Sequence, residues 1–161
     1  MIIFDAFCFN GSTWIDKDFF NSNNVIKNDL RVGKYIVGGR QNIFIKPNCR
    51  LDMFRENSCI AMEQKIDIIY LDPPHSLKTT GIMNEKYTHL PENWITAINN
   101  MWKNVCCLSN HNLNSVIILK WNENEISINT ILKIAIANHI YPLFGSKIRT
   151  KTYWIVLHRV V

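Results

Sequence analysis

The segment that constrains the fold most is the apolar run Ile68–Leu71, which leads straight into Asp72-Pro73-Pro74-His75. Four residues of mainly β-branched and aromatic type, after a polar lead-in, predict a short buried strand. The two prolines end this strand, because they fix φ and remove backbone donors. The Asp72 carboxylate is therefore predicted to lie at the carboxyl end of a strand, where open α/β sheets bind their ligands.

A turn of this composition can hold an amine. An exocyclic amine such as adenine N6 or cytosine N4 carries two N–H donors, and the Asp72 carboxylate and the Pro73 carbonyl can accept both. Pro74 stiffens the turn, and the ring of His75 is placed to stack on a base. The alternative is an ordinary turn after a strand, since Asp-Pro dipeptides are common turn formers.

Segments typical of strands and helices alternate on both sides of this turn. Apolar runs predict strands over 2–8, 25–28, 43–51, 115–119, 141–148 and 152–158. Helices are predicted over 13–20, 54–61, from 91 onward and over 125–138, and Gly38-Gly39 predicts a hairpin within 32–45. This alternation, ending in a strand pair, predicts an α/β fold. We expect one domain, residues 1–161, built as a three-layer sandwich with a mostly parallel sheet and a terminal antiparallel hairpin.

Composition narrows the function classes. The chain has no apolar run near the roughly 20 residues that a membrane span needs and no basic segment before its first apolar run, so we expect a cytoplasmic protein without a membrane partner. Its five cysteines include no Cys-x-x-Cys pair, and its histidines form no ligand pattern, so no metal site is predicted. The net charge is +5, and the last fifteen residues carry four cations and no acid. This end of the chain is either a phosphate-facing edge or an ordinary solvated surface.

Asp29 is a candidate ligand for a nucleoside. It ends the second predicted strand, about twenty residues after the turn that follows the first strand. In Rossmann-like sheets an acid at this spacing binds ribose hydroxyls. The local sequence is equally compatible with a surface acid at a strand end.

Short motifs also occur in a recognisable order along nearly the whole chain. They are Asp5-Ala6-Phe7-Cys8, the turn at 72–75, Lys86-Tyr87 with Leu90 and Trp94, Lys120-Trp121-Asn122-Glu123, and Pro142-Leu143-Phe144-Gly145 followed by Lys151-Thr152-Tyr153-Trp154. The turn resembles motif IV of class I S-adenosylmethionine-dependent amino-methyltransferases. The ordered set resembles a group of small stand-alone methyltransferase-like proteins of phages and prokaryotes, which makes a viral or phage origin an expectation.

The resemblance implies a Rossmann-like class I methyltransferase fold and the cofactor S-adenosylmethionine. It implies that the turn Asp72, Pro73, Pro74 and His75 is catalytic. The residues it assigns to the amino-acid end of the cofactor are Asp5, Ala6, Phe7, Cys8 and Gly11. It assigns Asp52 to the adenine amino group and Met53 to the adenine ring, although Asp52 also suits the cap of the predicted helix over 54–61. The residues it places at the target group are Lys86, Tyr87, Lys120, Trp121 and Asn122.

The predicted reaction is methyl transfer to an amine nitrogen, with a base of DNA or RNA as the expected substrate. A chain of 161 residues has no room for a separate recognition domain, so specificity must come from the loops over 32–45 and 76–90 or from a partner subunit. Two alternatives stay open. One is a non-catalytic methyltransferase-like subunit, favoured by the single glycine, Gly11, in the first loop. The other is a nucleic-acid-binding module without chemistry, favoured by the basic end of the chain.

Overall fold

The computed structural model describes residues 1–9, 14–37, 41–59, 62–78 and 89–161. Six strands form one sheet in the order β2-β1-β5-β6-β8-β7. Their bounds are Ile3–Asp5 for β1, Val25–Lys27 for β2, Ile68–Leu71 for β5, Val116–Asn122 for β6, Ile140–Lys147 for β7 and Thr152–Arg159 for β8. A separate antiparallel hairpin joins β3 (Gly33–Val37) to β4 (Gln41–Ile45).

Three helices connect these strands within the described residues. They are α1 (Lys17–Asn21), α2 (Trp94–Ser109) and α3 (Ile128–Ala137). Strands β2, β1, β5 and β6 are parallel, whereas β8 runs antiparallel to both of its neighbours. The expected α/β fold, with a mostly parallel sheet and a terminal antiparallel pair, is thus confirmed.

The chain reverses its direction of travel across the sheet between β1 and β5. From β1 it moves to β2 on one side, and from β5 it moves to β6 on the other. Connections between parallel strands are almost always right-handed, so opposite directions of travel place them on opposite faces. At such a switch point the loops that follow the two central strands diverge and leave a crevice.

Each face of the sheet has its own apolar cluster. The larger cluster contains Phe4, Ile69 and Ile117, one from each of three neighbouring strands, together with Trp102 of α2 and Ile131 of α3. The smaller cluster contains Cys8, Phe20 of α1 and Val25. Val25 precedes Ile26, which belongs to the larger cluster, and consecutive strand residues point to opposite faces. Helix α1 therefore packs on the face opposite to α2 and α3.

Several predicted elements have other bounds. Helix α1 begins at Lys17 because the side chain of Asp16 accepts the Phe19 amide as its N-cap. The helix predicted over 54–61 is wrong for 54–59, which form turns. The strand predicted over 43–51 is present over 43–45, within β4, and is wrong for 46–51, where an isolated parallel bridge joins Asn28 to Cys49.

The side chain of Asn28 replaces much of that missing strand. Its amide nitrogen donates to the carbonyls of Ala6 (2.8 Å) and Leu51 (2.9 Å), and its oxygen accepts the Leu51 amide (2.6 Å). Its backbone pairs with Asp5 and Cys8. Asn28 is 1% exposed, so water cannot take over these bonds. One residue therefore joins the loop after β1 to the segment that leads to Asp52.

The Asn28→Ala variant is expected to lose about 2–4 kcal/mol of unfolding free energy, because it leaves three backbone groups without their partners in the interior. Urea unfolding followed by circular dichroism measures this loss. Asn114→Ala removes an exposed amide and is the matched control, expected to change stability by less than about 0.5 kcal/mol. Equal stability of the two variants would contradict the role given to Asn28.

Candidate active site

A cleft of about 920 Å³ lies at the carboxyl ends of β1 and β5, at the switch point of the sheet. It brings together most of the residues that the sequence singled out, namely Asp5, Ala6, Phe7, Cys8, Asp29, Asp52, Met53, Asp72, Pro73, Pro74, His75, Lys120 and Asn122. Gly11, Lys86 and Tyr87 lie outside the described residues, as does the turn Gly38-Gly39. The parallel register explains the clustering, because carboxyl ends of neighbouring parallel strands meet at one edge.

Asp72 is paired with Lys120. Tyr70 of β5 lies beside Ile118 of β6, so the residues two positions further on face each other across the strand ends. The Lys120 Nζ donates to Asp72 Oδ2 at 2.6 Å, and the two side chains are 28% and 18% exposed. This half-buried ion pair places a strong donor on the carboxylate that was predicted to hold an amine.

The second predicted acceptor is also engaged. His75 Nδ1 lies 3.3 Å from the Pro73 carbonyl oxygen and donates to it in the tautomer that carries the proton on Nδ1. Burial lowers the pKa of His75, an effect that the Asp72 charge partly offsets, so the ring is neutral at physiological pH. Both acceptors of the turn are therefore occupied by donors of the chain itself.

Asp5 is the least satisfied carboxyl of the cleft. It is 1% exposed, and its Oδ2 accepts the Trp14 indole N–H at 2.7 Å, while its Oδ1 has no partner among the described residues. Burial raises the pKa of Asp5 to about 7, although hydrogen bonds from the Trp14 indole and the Phe7 backbone oppose this, and the charge of Asp72 raises it further. An orphaned buried oxygen that borders a cleft is a site for a donor, and a cation suits it best.

Asp29 is used differently, because both its oxygens are already engaged. Oδ1 accepts from the backbone amide and Nε of Arg31, and Oδ2 accepts from an Arg31 guanidinium nitrogen (2.8 Å) and from the Phe9 amide (3.0 Å). A carboxylate accepts about four hydrogen bonds. The predicted ribose contact therefore requires Arg31 to release at least one of them.

The hydrogen bond from the Phe9 amide to Asp29 holds the loop after β1 in an unusual conformation. Phe9 has φ +46°, in the left-handed region that favours glycine, and its ring lies 4.8 Å from the Arg31 guanidinium carbon. A left-handed residue with a side chain costs roughly 1–2 kcal/mol.

Burial raises the pKa of the nearby Cys8 thiol, so that thiol is neutral and packs as an apolar group.

Asp52 and Met53 line the other side of the cleft. Asp52 Oδ1 accepts the Phe54 amide at 3.0 Å, which forms a turn in place of the helix cap considered above. Met53 is 2% exposed and belongs to the larger apolar cluster. Asn104 of α2 donates to the carbonyls of Met53 and Arg55, which fixes this segment against the helix.

Trp121 is the predicted site residue that does not fit. Strand β6 continues through Asn122 rather than ending near 119, so Trp121 alternates to the face of the larger cluster. It is fully buried, and its indole N–H donates to the Ile126 carbonyl at 3.0 Å. Stacking of a target base on Trp121 is therefore incompatible with this fold. Its ring instead contacts His75 edge-on, with centroids 6.1 Å apart.

Other residues of the site were not predicted from the sequence. Trp14 donates to Asp5 and contacts the Tyr70 ring edge-on, and Trp154 stacks on Tyr70 with ring centroids 5.7 Å apart. Arg31 and Arg149 line the cleft. Arg149 belongs to the basic end of the chain, and Arg31 carried a signal as well, because an arginine two residues after an acid at a strand end can fold back on it.

Among the described residues, no group of three or more His, Cys, Asp or Glu side chains is arranged to hold a metal ion. None of the helices described above combines the length and apolarity that crossing a bilayer demands.

Comparison with known proteins adds no family. No family model matches the chain, and a search of curated proteins finds no match. The ligands of the cleft have therefore to be inferred from its residues.

Asp5 is expected to make stability depend on pH. Its pKa rises on folding from 3.8 to about 7, so between these values the folded state binds a proton that the unfolded state does not. Stability therefore falls as pH rises from about 4 to about 7, and Asp5→Asn, which cannot ionise, should gain on the order of 3 kcal/mol relative to wild type between pH 4 and pH 8. Urea unfolding at a series of pH values measures this difference.

The matched control for that series is Asp18→Asn, which neutralises an exposed acid. We expect its stability to follow that of the wild type at every pH. A constant difference between Asp5→Asn and wild type would show that Asp5 is ionised in the folded protein throughout this range.

Proposed function

We propose that this chain is an S-adenosylmethionine-dependent methyltransferase of the Rossmann-like class I fold, and that it methylates an exocyclic amine of a nucleic-acid base. The observation that carries the proposal is the turn after β5. It presents two adjacent acceptors, the Asp72 carboxylate and the Pro73 carbonyl. Each of them contacts a side-chain nitrogen, Lys120 Nζ or His75 Nδ1, at the position where an N–H group of the amine would bind.

The topology supports the fold assignment. The strand order, the switch point between β1 and β5 and the antiparallel β8 beside β6 agree with the architecture that the sequence resemblance implies. The strand that was expected over 43–51, after β2, is reduced to the isolated bridge between Asn28 and Cys49. The cleft lies at the switch point, which is the general ligand position in open α/β sheets.

The residues of the cleft fit S-adenosylmethionine. The orphaned Oδ1 of Asp5 provides an acceptor for the α-ammonium group. Among the described residues the Asp52 carboxylate accepts a hydrogen bond at Oδ1, from its own turn, so Oδ2 can take the adenine amino group, and Met53 offers an apolar surface for the ring. The Asp29 carboxylate accepts the Phe9 amide and so holds the loop after β1. A ribose hydroxyl can replace one of the hydrogen bonds that Arg31 donates to Asp29.

When bound, the cofactor supplies a methyl group that is already activated by the sulfonium. The chain has to hold the acceptor nitrogen in line with it and exclude water. Asp72 and the Pro73 carbonyl take the two N–H groups, which turns the nitrogen lone pair toward the methyl carbon. Lys120 and His75 must first give up these acceptors. Asp72 is also placed to receive the proton that the nitrogen loses as the new N–C bond forms and the C–S bond breaks.

A non-catalytic methyltransferase-like subunit is the second candidate. It is favoured by Phe9, whose left-handed backbone and bulky ring occupy the loop where glycines would let the backbone approach a cofactor. It is also favoured by the ion pair that closes Asp72. The two candidates differ in what they predict for cofactor binding.

Binding of S-adenosylhomocysteine tests the cofactor site by calorimetry. We expect micromolar affinity that weakens about tenfold from pH 8 to pH 6, because Asp5, whose pKa is about 7, must lose its proton to hold an ammonium group. The Asp5→Asn variant should bind more weakly, and its affinity should lack the change between pH 8 and pH 6 that the ionisation of Asp5 causes in the wild type. Absence of binding at millimolar ligand, by folded protein, would favour the non-catalytic subunit.

Methyl transfer itself is tested with radiolabelled S-adenosylmethionine and single-stranded DNA, duplex DNA and RNA, followed by nucleoside analysis. We expect label in an exocyclic amine. Asp72→Asn should lower the rate about 100-fold or more, because it removes an acceptor that acts in the transition state, while S-adenosylhomocysteine still binds. The exposed control Asp18→Asn should keep the wild-type rate. An unchanged rate in Asp72→Asn would remove the turn from the mechanism.

A further inference from the structure

The face of the sheet that carries Asp72 and Lys120 continues across β8 onto the edge strand β7. The register pairs Lys120 with Trp154 and Trp154 with Ser146, and the next row pairs Ile118 with Val156 and Val156 with Phe144. Side chains that are neighbours in such a row point to the same face. The rows therefore link the acceptor turn to the outer edge of the sheet.

This outer part of the face exposes aromatic rings. Phe144 is 69% exposed and Tyr141, which pairs with His158, is 39% exposed. By strand spacing, the Cα atom of Phe144 lies about 12 Å from that of Lys120. An edge strand that exposes large apolar side chains is uncommon unless something binds there.

A basic turn borders the same edge. It joins β7 to β8 and contains Arg149 and Lys151, both exposed. Lys147, the last residue of β7, pairs with Tyr153 on the opposite face of the sheet and lies over its ring, 5.2 Å from the centroid. Arg149 and Thr152 line the cleft, and the Lys151 carbonyl accepts the Glu123 amide, which fixes the turn beside the end of β6. In the described part of the chain neither Arg149 nor Lys151 is paired with a carboxylate. The Glu123 carboxylate instead accepts from Ile128 and Tyr153.

We propose that the exposed face of β7 and the basic turn form a binding surface for single-stranded nucleic acid that leads into the cleft. Exposed rings stack on unpaired bases, and unpaired cations bind the phosphates between them, whereas a duplex hides its base faces. A polyanion neutralises this surface, but a second copy of the chain would bring a further net charge of +5 to it. This inference deepens the proposed function, since it names the form in which the base reaches Asp72.

Fluorescence anisotropy with a labelled single-stranded 15-mer, without cofactor, tests the surface. Tyr141→Ala/Phe144→Ala should weaken binding roughly five- to 100-fold, as expected for lost stacking on one base. Leu143→Ala, at an exposed apolar residue between them, is the matched control and should change affinity by less than about twofold. All three positions are solvent-exposed, so the variants should fold.

The charge contribution is tested by salt dependence. Arg149→Gln/Lys151→Gln should reduce the slope of log affinity against log salt by about 1.4, because two phosphate contacts are lost. The control Lys65→Gln/Lys133→Gln removes the same charge from exposed sites elsewhere and should leave the slope nearly unchanged. Equal effects of the two double variants would show that the attraction depends on net charge alone, which would overturn the inference.

Three other outcomes would also overturn it: tighter binding of the matching duplex, no binding of the 15-mer, or a dimer in sedimentation that Tyr141→Ala/Phe144→Ala dissociates. The last would assign the face to self-association. The proposed function fails separately. If the 15-mer binds through this face but no nucleic acid is methylated, the proposed methyl transfer fails and the proposed binding surface stands. If methyl transfer occurs and these variants do not affect it, the binding surface fails and the proposed methyl transfer stands.

Discussion

The geometry of the cleft depends on the buried amide of Asn28. It bonds the Ala6 carbonyl on one side and both backbone groups of Leu51 on the other, so the loop after β1 and the segment before Asp52 keep a fixed separation. A paired third strand would do this with a ladder of backbone bonds. Here a single side chain does it, so the separation of the two walls of the cleft depends on the conformation of Asn28.

Four carboxyl groups of the described residues, Asp5, Asp29, Asp52 and Asp72, line one cleft, and three of them, Asp5, Asp29 and Asp72, are each stabilised differently. Asp29 is saturated by Arg31 and the loop, and Asp72 is paired with Lys120. Asp5 has neutral donors, the Trp14 indole and the Phe7 backbone, and burial raises its pKa. Its buried Oδ1 has no partner among the described residues, so a cationic ligand would gain most there. The three groups thus differ in their partners: an arginine and the loop for Asp29, a lysine for Asp72 and neutral donors for Asp5.

The sequence predicted the parts of the fold that depend on local pattern. The strand Ile68–Leu71 and the helix expected from residue 91 onward, found as α2, follow directly from apolar periodicity. The clustering of Asp5 and Asp72 follows from parallel strands meeting at one edge. The missing third strand could not be predicted, because the Asn28 side chain supplies its bonds over 23 residues of chain. Trp121 was predicted to lie beyond the end of the strand, at the target group. Strand β6 instead runs three residues further than its apolar run, and the alternation of side chains along it turns Trp121 to the buried face.

The double occupancy of the turn by Lys120 and His75 has a consequence for product release. An exocyclic amine arrives with two N–H groups and leaves, once methylated, with one. The methylated base can then satisfy only one of the two acceptors, whereas Lys120 and His75 together satisfy both. For the proposed reaction, the side chains that obstruct entry of the amine would also help to expel the product. In that reaction, a turn closed in this way would disfavour a second transfer and would limit each base to a single methyl group.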